Sequence, residues 1–188
     1  MEVIAKQVYD KETCVGIFGY LDNLEVEYRK PYMRFGKMVE VPRGQASFTL
    51  SSDIHYDYKV SGGSPPNIVM CEKLKEITKK VNEVLGTNFN TILLNKYKDG
   101  NDCIGFHRDR ETGWAPGSGF ATLSFGAERD FQIKNKESGE TTNILHKNGH
   151  VLYLPHPMNQ ENLHGVPKRL RVKDCRISLT FREIVDRK

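Results

Sequence analysis

Two residue types that bind transition metals stand two positions apart in the segment His107-Arg108-Asp109. In an extended segment this spacing places an imidazole and a carboxylate on the same side. One further histidine would complete the two-histidine, one-carboxylate triad of non-haem iron(II) oxygenases, which leaves coordination positions open for a co-substrate and oxygen. The segment His55-Tyr56-Asp57 has the same spacing, so the spacing alone does not identify a metal site.

The third ligand of such a site must come from elsewhere in the chain. The later candidates are His146, His150, His156 and His164. The first two flank a turn signal at Asn148-Gly149, which predicts that both are exposed. His156 lies between two prolines and is interpreted as a structural loop residue. His164 precedes the segment 176–182 and could approach it, but local reasoning does not choose among the four.

The segment Arg176–Arg182 predicts a strand with two unlike faces. Side chains alternate along a strand, so one face is apolar, with Ile177, Leu179 and Phe181, and the other carries Arg176, Ser178, Thr180 and Arg182. Arginines facing a cavity need anionic partners, because an unpaired buried charge is costly. A small dicarboxylate would suit them, since a guanidinium group grips a carboxylate with two hydrogen bonds. Internal salt bridges are the alternative.

The run Thr91–Lys98 predicts a second strand with polar groups on one side. Leu93, Asn95 and Tyr97 share a face. Buried tyrosine hydroxyls usually find a hydrogen-bond partner. The two polar tips either bond within the core or line the same cavity.

A β-rich fold would position these residues. Short strand-like runs follow Gly86, divided by turn residues: Thr91–Lys98, Phe120–Gly126, Arg129–Asn135, Thr142–His146, His150–Pro155 and Arg176–Arg182. Upstream, Asp10 predicts the cap of a short helix, and Ser64-Pro65-Pro66 predicts the start of a second helix that ends at Gly86. We therefore predict a mainly β, α+β fold, a double-stranded β-helix or jelly roll with N-terminal buttressing helices.

The composition and net charge of the chain limit the classes of protein to which it can belong. The 188 residues are 38% hydrophobic with a net charge of +4, as expected of one globular domain that tolerates an anionic partner. No run is long and apolar enough to span a membrane, and the N-terminus lacks the pattern of a secretory signal. The four cysteines form no C-x-x-C pair. These features predict an intracellular protein that does not act in a membrane.

A series of motifs in order resembles the AlkB family of oxidative dealkylases, especially its duplex-DNA-acting eukaryotic members. The resemblance covers most of the chain from about Phe35 onward, and the ordered series is far more specific than any one motif. The matching segments are Arg34-Phe35-Gly36-Lys37, Val41-Pro42-Arg43-x-Gln45, Asn95-Lys-Tyr97-Lys-Asp-Gly, His107-Arg-Asp109-Arg-Glu111, Ala115-Pro-Gly-Ser, Ser124-Phe-Gly-Ala-Glu-Arg-Asp-Phe131, His156-Pro, His164 and Arg176-Ile-Ser-Leu-Thr-Phe-Arg182.

The resemblance implies a complete site and decides the open choices. The implied iron ligands are His107, Asp109 and His164, so His55 and Asp57 become bystanders. Arg176 would hold the distal carboxylate of 2-oxoglutarate, and Arg182 would lie near its iron-side carboxylate. The implied helpers of Arg176 are Asn95, Tyr97 and Thr180.

The resemblance also implies a reaction. Fe(II), 2-oxoglutarate and O2 would remove alkyl groups oxidatively from bases such as 1-methyladenine and 3-methylcytosine, with release of succinate, CO2 and formaldehyde. The implied partner is alkylated DNA, double- or single-stranded, or RNA, and the implied state is a monomer in the nucleus if the source is eukaryotic and otherwise in the cytoplasm. The single domain 1–188 would comprise N-terminal helices and a nucleotide-recognition region (1–86) and a jelly-roll catalytic core (87–188).

Further matches imply contacts with the nucleic acid. Phe35 matches the aromatic finger that fills the gap left by a flipped base, which is physically sensible for an apolar wedge in a base stack. Glu111 matches an acidic residue that reads the base, with an ion pair to Arg110 as the alternative. The other implied contacts are Gly36, Lys37, Arg43, Tyr58, Val60, Lys168 and Arg169. Val60 departs from the family, since an aromatic residue is usual there, which affects base preference rather than iron chemistry.

Two other functions use parts of the same pattern. A 2-oxoglutarate-dependent hydroxylase of a protein or small molecule would share the metal site but would not need Phe35, Arg43 or the basic segment after His164. A non-catalytic nucleic-acid-binding jelly roll would not need the three metal ligands.

Overall fold

The computed structural model of the chain describes residues 3–34, 36–56 and 65–185, with residues 32–34 described by their backbone alone. The elements in these ranges are β1 (Ile4–Gln7), α1 (Lys11–Asp22), β2 (Glu27–Tyr28), β3 (Pro31–Arg34), β4 (Lys37–Glu40), β5 (Gly44–Thr49), β6 (Asn67–Val69), α2 (Glu72–Leu85), β7 (Thr91–Tyr97), β8 (Ile104–His107), β9 (Phe120–Gly126), β10 (Arg129–Asn135), β11 (Thr141–His146), β12 (His150–Leu154), α3 (His156–Glu161), β13 (Asn162–Val166) and β14 (Arg176–Arg182).

Two sheets form the body of the molecule. The larger sheet has the strand order β1-β12-β9-β14-β7-β5-β2, and β6 joins it in parallel beside β5. The smaller sheet has the order β11-β10-β13-β8. Apolar side chains of both sheets, such as Leu93 and Phe131, share one buried cluster, so the sheets pack face to face. The predicted jelly roll is confirmed.

Both helices before β7 cover the outer face of the larger sheet. Ile177, Leu179 and Phe181, the apolar face of β14, are wholly buried in a cluster with side chains of α1 and α2. The polar face of β14 is therefore turned inward, toward the smaller sheet. None of the helices in the described ranges has the length and apolar run needed to cross a bilayer.

The helix boundaries confirm two predictions and correct a third. Asp10 caps α1 as predicted, its carboxylate accepting from the amide of Thr13 at 2.8 Å. Gly86, with φ of 69°, ends α2 in the left-handed conformation that glycine adopts without strain. The predicted start of α2 at residues 64–66 is wrong, because the chain first forms β6 in hydrogen-bond register with β5 and begins the helix only at Glu72.

The part of the chain before α2 supplies more strands than the sequence predicted. The strands β1, β2, β5 and β6 all belong to the larger sheet, and β5 lies directly beside β7. Only β3 and β4 form a separate hairpin among the described residues. The larger sheet thus includes residues on both sides of position 86, and the division into a recognition region and a catalytic core stays a prediction.

Candidate metal and co-substrate site

Antiparallel pairing brings together two of the predicted metal ligands. His107 ends β8 and faces His164 of β13 directly across the smaller sheet, with 4.3 Å between ring centroids. Asp109 follows two residues later, with its Oδ1 3.6 Å from Nε2 of His107 and 3.9 Å from Nε2 of His164. One nitrogen or oxygen from each of the three lies within 4.8 Å of the others. This spacing suits a metal ion bound by all three.

The other histidines lie elsewhere. His55 is exposed, and Asp57 lies outside the described residues. His156 belongs to the helix α3 rather than to a loop. His150 is partly buried, with its Nδ1 at the carbonyl oxygen of Asn148.

The carboxylate of Asp109 is buried and ionised. Burial alone would raise its pKa, but the positive guanidinium of Arg182 and the imidazoles of His107 and His164 outweigh burial and hold the pKa far below its usual value. Arg182 donates to Oδ2 from Nε at 3.1 Å and from Nη2 at 2.6 Å. Oδ1 therefore remains directed at the two imidazoles, as a metal ligand requires.

Both imidazoles can offer a nitrogen lone pair. Nδ1 of His107 lies 3.0 Å from the carbonyl oxygen of Gly105, so this nitrogen carries the proton and Nε2 is left for a metal. Burial, followed by the proximity of His107, lowers the pKa of His164 to about 3, so His164 is neutral near pH 7. The ring of Phe131 stacks on His164 with centroids 5.6 Å apart and fixes its plane.

A cavity between the sheets joins these residues to the polar face of β14. Its polar lining comprises Asn95, Tyr97, His107, Asp109, Thr122, His164, Arg176, Ser178, Thr180 and Arg182. Every residue for which the sequence predicted a role with iron or 2-oxoglutarate is present in this lining. The structure therefore brings together the ligand set and the proposed co-substrate residues.

Arg176 is a buried cation with an unfilled donor. It donates from Nε to the hydroxyl of Ser124 at 2.8 Å and from Nη2 to Nδ1 of His146 at 3.1 Å. Its Nη1 is buried without a hydrogen-bond partner among the described residues, and none of the salt bridges found among those residues involves Arg176. A carboxylate of 2-oxoglutarate would supply both the missing acceptor and the missing charge.

His146 is buried, so the prediction of an exposed residue is wrong. The pairing of β10 with β11 sets His146 opposite Arg129 on the inner side of the smaller sheet. Its Nε2 lies 2.9 Å from the carbonyl oxygen of His150, which leaves Nδ1 to accept from Arg176. Burial and then the charge of Arg176 lower the pKa of His146 to about 3. A neutral imidazole thus helps to hold the guanidinium in place.

Comparison with known proteins agrees with this geometry. The family model described as the 2OG-Fe(II) oxygenase superfamily matches residues 3–182. The chain belongs to this superfamily. Its cofactors are accordingly Fe(II) and 2-oxoglutarate, and it is a dioxygenase.

Several curated relatives of this oxygenase carry the name DNA oxidative demethylase ALKBH2. The Mus musculus protein is 39% identical over 96% of this chain and 79% of its own length. The Homo sapiens protein is 39% identical over 95% of this chain and 71% of its own length. The Arabidopsis thaliana protein is 30% identical over 89% of this chain and 61% of its own length.

Solved structures show the same fold at low sequence identity. The structure titled OsALKBH1 has a TM-score of 0.64 at 15% identity, covering 96% of this chain and 97% of that one. A 2OG-Fe(II) oxygenase family oxidoreductase from Burkholderia pseudomallei has a TM-score of 0.61 at 15% identity, covering 96% of this chain and 84% of that one.

The oxygenase holds Glu111 beside the metal site by contacts from α3. Asn159 donates to Oε1 of Glu111 at 2.7 Å, and Oε2 lies 3.3 Å from Nε2 of His156. The same Asn159 amide bonds both backbone groups of Asp109, at 3.1 and 3.0 Å. No ion pair with Arg110 forms among the described residues. No sequence pattern predicted α3, whose buried Asn159 amide joins the backbone of Asp109 to the carboxylate of Glu111.

The predicted nucleic-acid contacts differ in accessibility. Gly36 forms the tip of the β3–β4 hairpin, with φ of 75°, and both it and Lys37 are exposed. Lys168 and Arg169 are also exposed, although Nε of Arg169 donates to Asp130 at 2.6 Å. Arg43 is only 4% exposed. Phe35, Tyr58 and Val60 lie outside the described residues, and all these contacts stay predictions.

We expect the metal-free oxygenase to lose stability in mild acid. An unfolded histidine titrates near pH 6.5, whereas His146 and His164 have folded pKa values of about 3. Their contribution is therefore fully present above about pH 6.5 and is lost as the pH falls toward 3, because only the unfolded chain binds the protons. Urea unfolding in EDTA should show that the free energy of unfolding falls between pH 6 and pH 4.5 with a slope that corresponds to the uptake of nearly two protons on unfolding.

The variant His146→Gln supplies the control for this titration. Its amide can still accept a hydrogen bond from Arg176 but cannot be protonated. The slope of the free energy of unfolding against pH should therefore correspond to about one proton fewer. A stability that stays constant from pH 7 to pH 4.5 in the unaltered protein would contradict two neutral buried histidines.

Proposed function

We propose that this chain is a DNA oxidative demethylase that removes alkyl groups from damaged bases such as 1-methyladenine and 3-methylcytosine. The observation that carries the proposal is the convergence of His107, Asp109 and His164 on the cavity that also holds Arg176. The 39% identity to DNA oxidative demethylases over 95–96% of the chain supports the choice of substrate.

In this proposal each part of the cavity has one task. His107, Asp109 and His164 hold Fe(II), and Arg182 keeps the carboxylate of Asp109 ionised and oriented. Asn95, Tyr97, Arg176 and Thr180 bind 2-oxoglutarate. When bound, Fe(II) with 2-oxoglutarate and O2 supplies the oxidation of the N-alkyl carbon, which leaves as formaldehyde while 2-oxoglutarate leaves as succinate and CO2.

The proposed substrate reaches the cavity as a flipped base. A base inside a duplex cannot contact the metal, so it must leave the stack, at a cost of a few kcal/mol that is smaller when alkylation already blocks pairing. Glu111 lies beside the metal ligands with both carboxylate oxygens held by α3, and its charge suits the cationic methylated bases. The exposed Lys37 and Lys168 would contact phosphates. We further propose a monomer that works intracellularly, in the nucleus if the source is eukaryotic.

The test uses oligonucleotides that carry one 1-methyladenine or 3-methylcytosine. Single- and double-stranded samples of DNA and of RNA are each incubated with the protein, Fe(II), ascorbate and 2-oxoglutarate. Mass spectrometry should show that the DNA loses one methyl carbon. Asp109→Ala should abolish the loss, because the metal loses its anionic ligand. His55→Ala changes the exposed histidine of the other His-x-Asp pair and should leave the rate unchanged.

The alternatives predict other products. Succinate without demethylation of any oligonucleotide would favour a hydroxylase of a protein or small molecule. Faster reaction on RNA than on DNA would make the chain an RNA demethylase. Binding of oligonucleotides with neither product, at confirmed iron occupancy, would favour a binding module.

A further inference from the structure

The amide of Asn95 is oriented by two side chains, one within the neighbouring strand β5 and one immediately before it. Asn95 of β7 lies opposite Gln45 of β5. Its Oδ1 accepts from Nε of Arg43 at 2.8 Å and from Nε2 of Gln45 at 3.1 Å. A guanidinium group can only donate hydrogen bonds, so the atom that faces Arg43 must be the amide oxygen. The NH2 group of Asn95 is thereby left for other acceptors.

This orientation matters because Asn95 lines the co-substrate cavity. The cavity also holds Arg176, whose Nη1 is buried without a partner among the described residues. An NH2 group and a guanidinium group together offer only donors, which suits a carboxylate. Rotation of the amide by half a turn would present an oxygen to that carboxylate and replace attraction with repulsion.

Arg43 is poorly placed for the nucleic-acid contact that the sequence suggested. Only 4% of its surface is exposed, and 6% of that of Gln45, whereas phosphate contacts require accessible donors. Lys37, which precedes Arg43 on the same segment, is exposed instead. The two basic residues of this segment therefore differ in what they can touch.

We propose that Arg43 and Gln45 are positioning residues for 2-oxoglutarate, acting through the amide of Asn95. The inference rests on the proposed function, since it assumes that the cavity binds this co-substrate. The strand β5, which follows the β3–β4 hairpin in the chain, then supports the co-substrate site directly. Loss of Arg43 should weaken co-substrate binding and leave nucleic-acid affinity intact.

The experiment measures separately the affinity of the Arg43→Met variant for 2-oxoglutarate and its affinity for DNA. The full chain is loaded with Mn(II), which binds such sites without turnover, and the Kd of 2-oxoglutarate is measured by calorimetry. The Kd of a duplex oligonucleotide is measured by fluorescence anisotropy. We expect the first to rise about tenfold, the size of one charge-assisted hydrogen bond of about 1.5 kcal/mol, and the second to change less than twofold. Lys37→Met should show the opposite pattern.

Further variants exclude a general loss of structure. Arg43→Lys retains a donor and should recover part of the affinity, and Gln45→Leu should give a smaller loss than Arg43→Met. Asn95→Ala should weaken 2-oxoglutarate binding about as much as Arg43→Met, and the double variant no more than either, because all act through one amide. If Arg43→Met fails to fold, the Kd values of 2-oxoglutarate for Arg43→Lys and Gln45→Leu still test the inference.

Two results would overturn the inference in distinguishable ways. An unchanged Kd for 2-oxoglutarate with weakened oligonucleotide binding in Arg43→Met would make Arg43 a nucleic-acid contact and leave the proposed function standing. No binding of 2-oxoglutarate by the unaltered Mn(II)-loaded protein would remove the proposed function and with it the basis of the inference.

Discussion

Replacing Asp109 with leucine is expected to abolish turnover and to lower the free energy of unfolding of the metal-free protein by about 3–5 kcal/mol. The carboxylate and Arg182 form a buried pair, 3% and 2% exposed, joined by bonds of 2.6 and 3.1 Å. Removing one partner leaves the other charge buried without its counterion, which costs far more than the pair contributes. Iron binding is lost as well, because the metal loses its anionic ligand.

A double-mutant cycle tests this explanation. Arg182→Met alone should destabilise by a similar amount, whereas the double variant Asp109→Leu/Arg182→Met should recover much of the loss, because neither charge of the pair is then left without the other. Asp130→Asn breaks the more exposed pair with Arg169 and should change stability by less than about 1 kcal/mol. Urea unfolding in EDTA gives all four values. Additive losses in the double variant would show that the two buried charges do not stabilise each other.

The parts of the site predicted from sequence are those that depend on local periodicity. Alternation along β14 separated its apolar side from Arg176, Thr180 and Arg182, and the structure confirms that the latter share one cavity. The bounds of β9, β10 and β14 agree with the predicted runs. Side-chain direction in a strand follows from residue number alone, so no distant contact was needed.

The missing parts depend on which distant strands pair. Residue spacing did not choose His164 from the four histidines, and only the family resemblance did, because the choice depends on the register that sets His164 opposite His107. His146 was assigned to an exposed turn for the same reason, although its strand turns it inward opposite Arg129. The resemblance implies a nucleic-acid contact for Arg43, which stays a prediction, whereas the burial of Arg43 near Asn95 depends on the pairing of β5 with β7, which was not predicted.

Arg176→Met is expected to weaken 2-oxoglutarate binding about 100-fold while leaving the metal-free protein equally stable or more stable. The guanidinium is 1% exposed, is bonded to a neutral hydroxyl and a neutral imidazole, and lies 5.0 Å from the centroid of the Tyr97 ring, with no carboxylate partner among the described residues. The folded protein therefore carries the desolvation cost of this charge until an anion binds. Methionine removes that cost, which at least balances the loss of the bonds to Ser124 and His146. It also removes about 3 kcal/mol of charge-assisted bonding to the co-substrate.

Thermal unfolding of the metal-free protein measures the effect on stability, and thermal unfolding of the Mn(II)-loaded protein with and without 2-oxoglutarate measures the effect on binding. At a ligand concentration 100 times its Kd the unaltered protein gains about 2.7 kcal/mol, and a variant with 100-fold weaker binding gains about 0.4 kcal/mol. A lower melting temperature of the metal-free Arg176→Met variant would contradict the view that the charge is a cost to the fold.

Arg129→Met is the matched comparison, because Arg129 is an equally buried arginine with a different set of partners. Its guanidinium donates to the carbonyl oxygens of Asp99, Asp102 and Pro167 at 2.6–3.0 Å, and it is not part of the cavity lining. Its removal leaves three acceptors without this donor, so Arg129→Met should lower stability by roughly 1–3 kcal/mol and change the Kd of 2-oxoglutarate by less than threefold. If Arg129→Met lowers stability without weakening 2-oxoglutarate binding and Arg176→Met does the reverse, then Arg129 stabilises the fold, whereas Arg176 binds the co-substrate at a cost to stability.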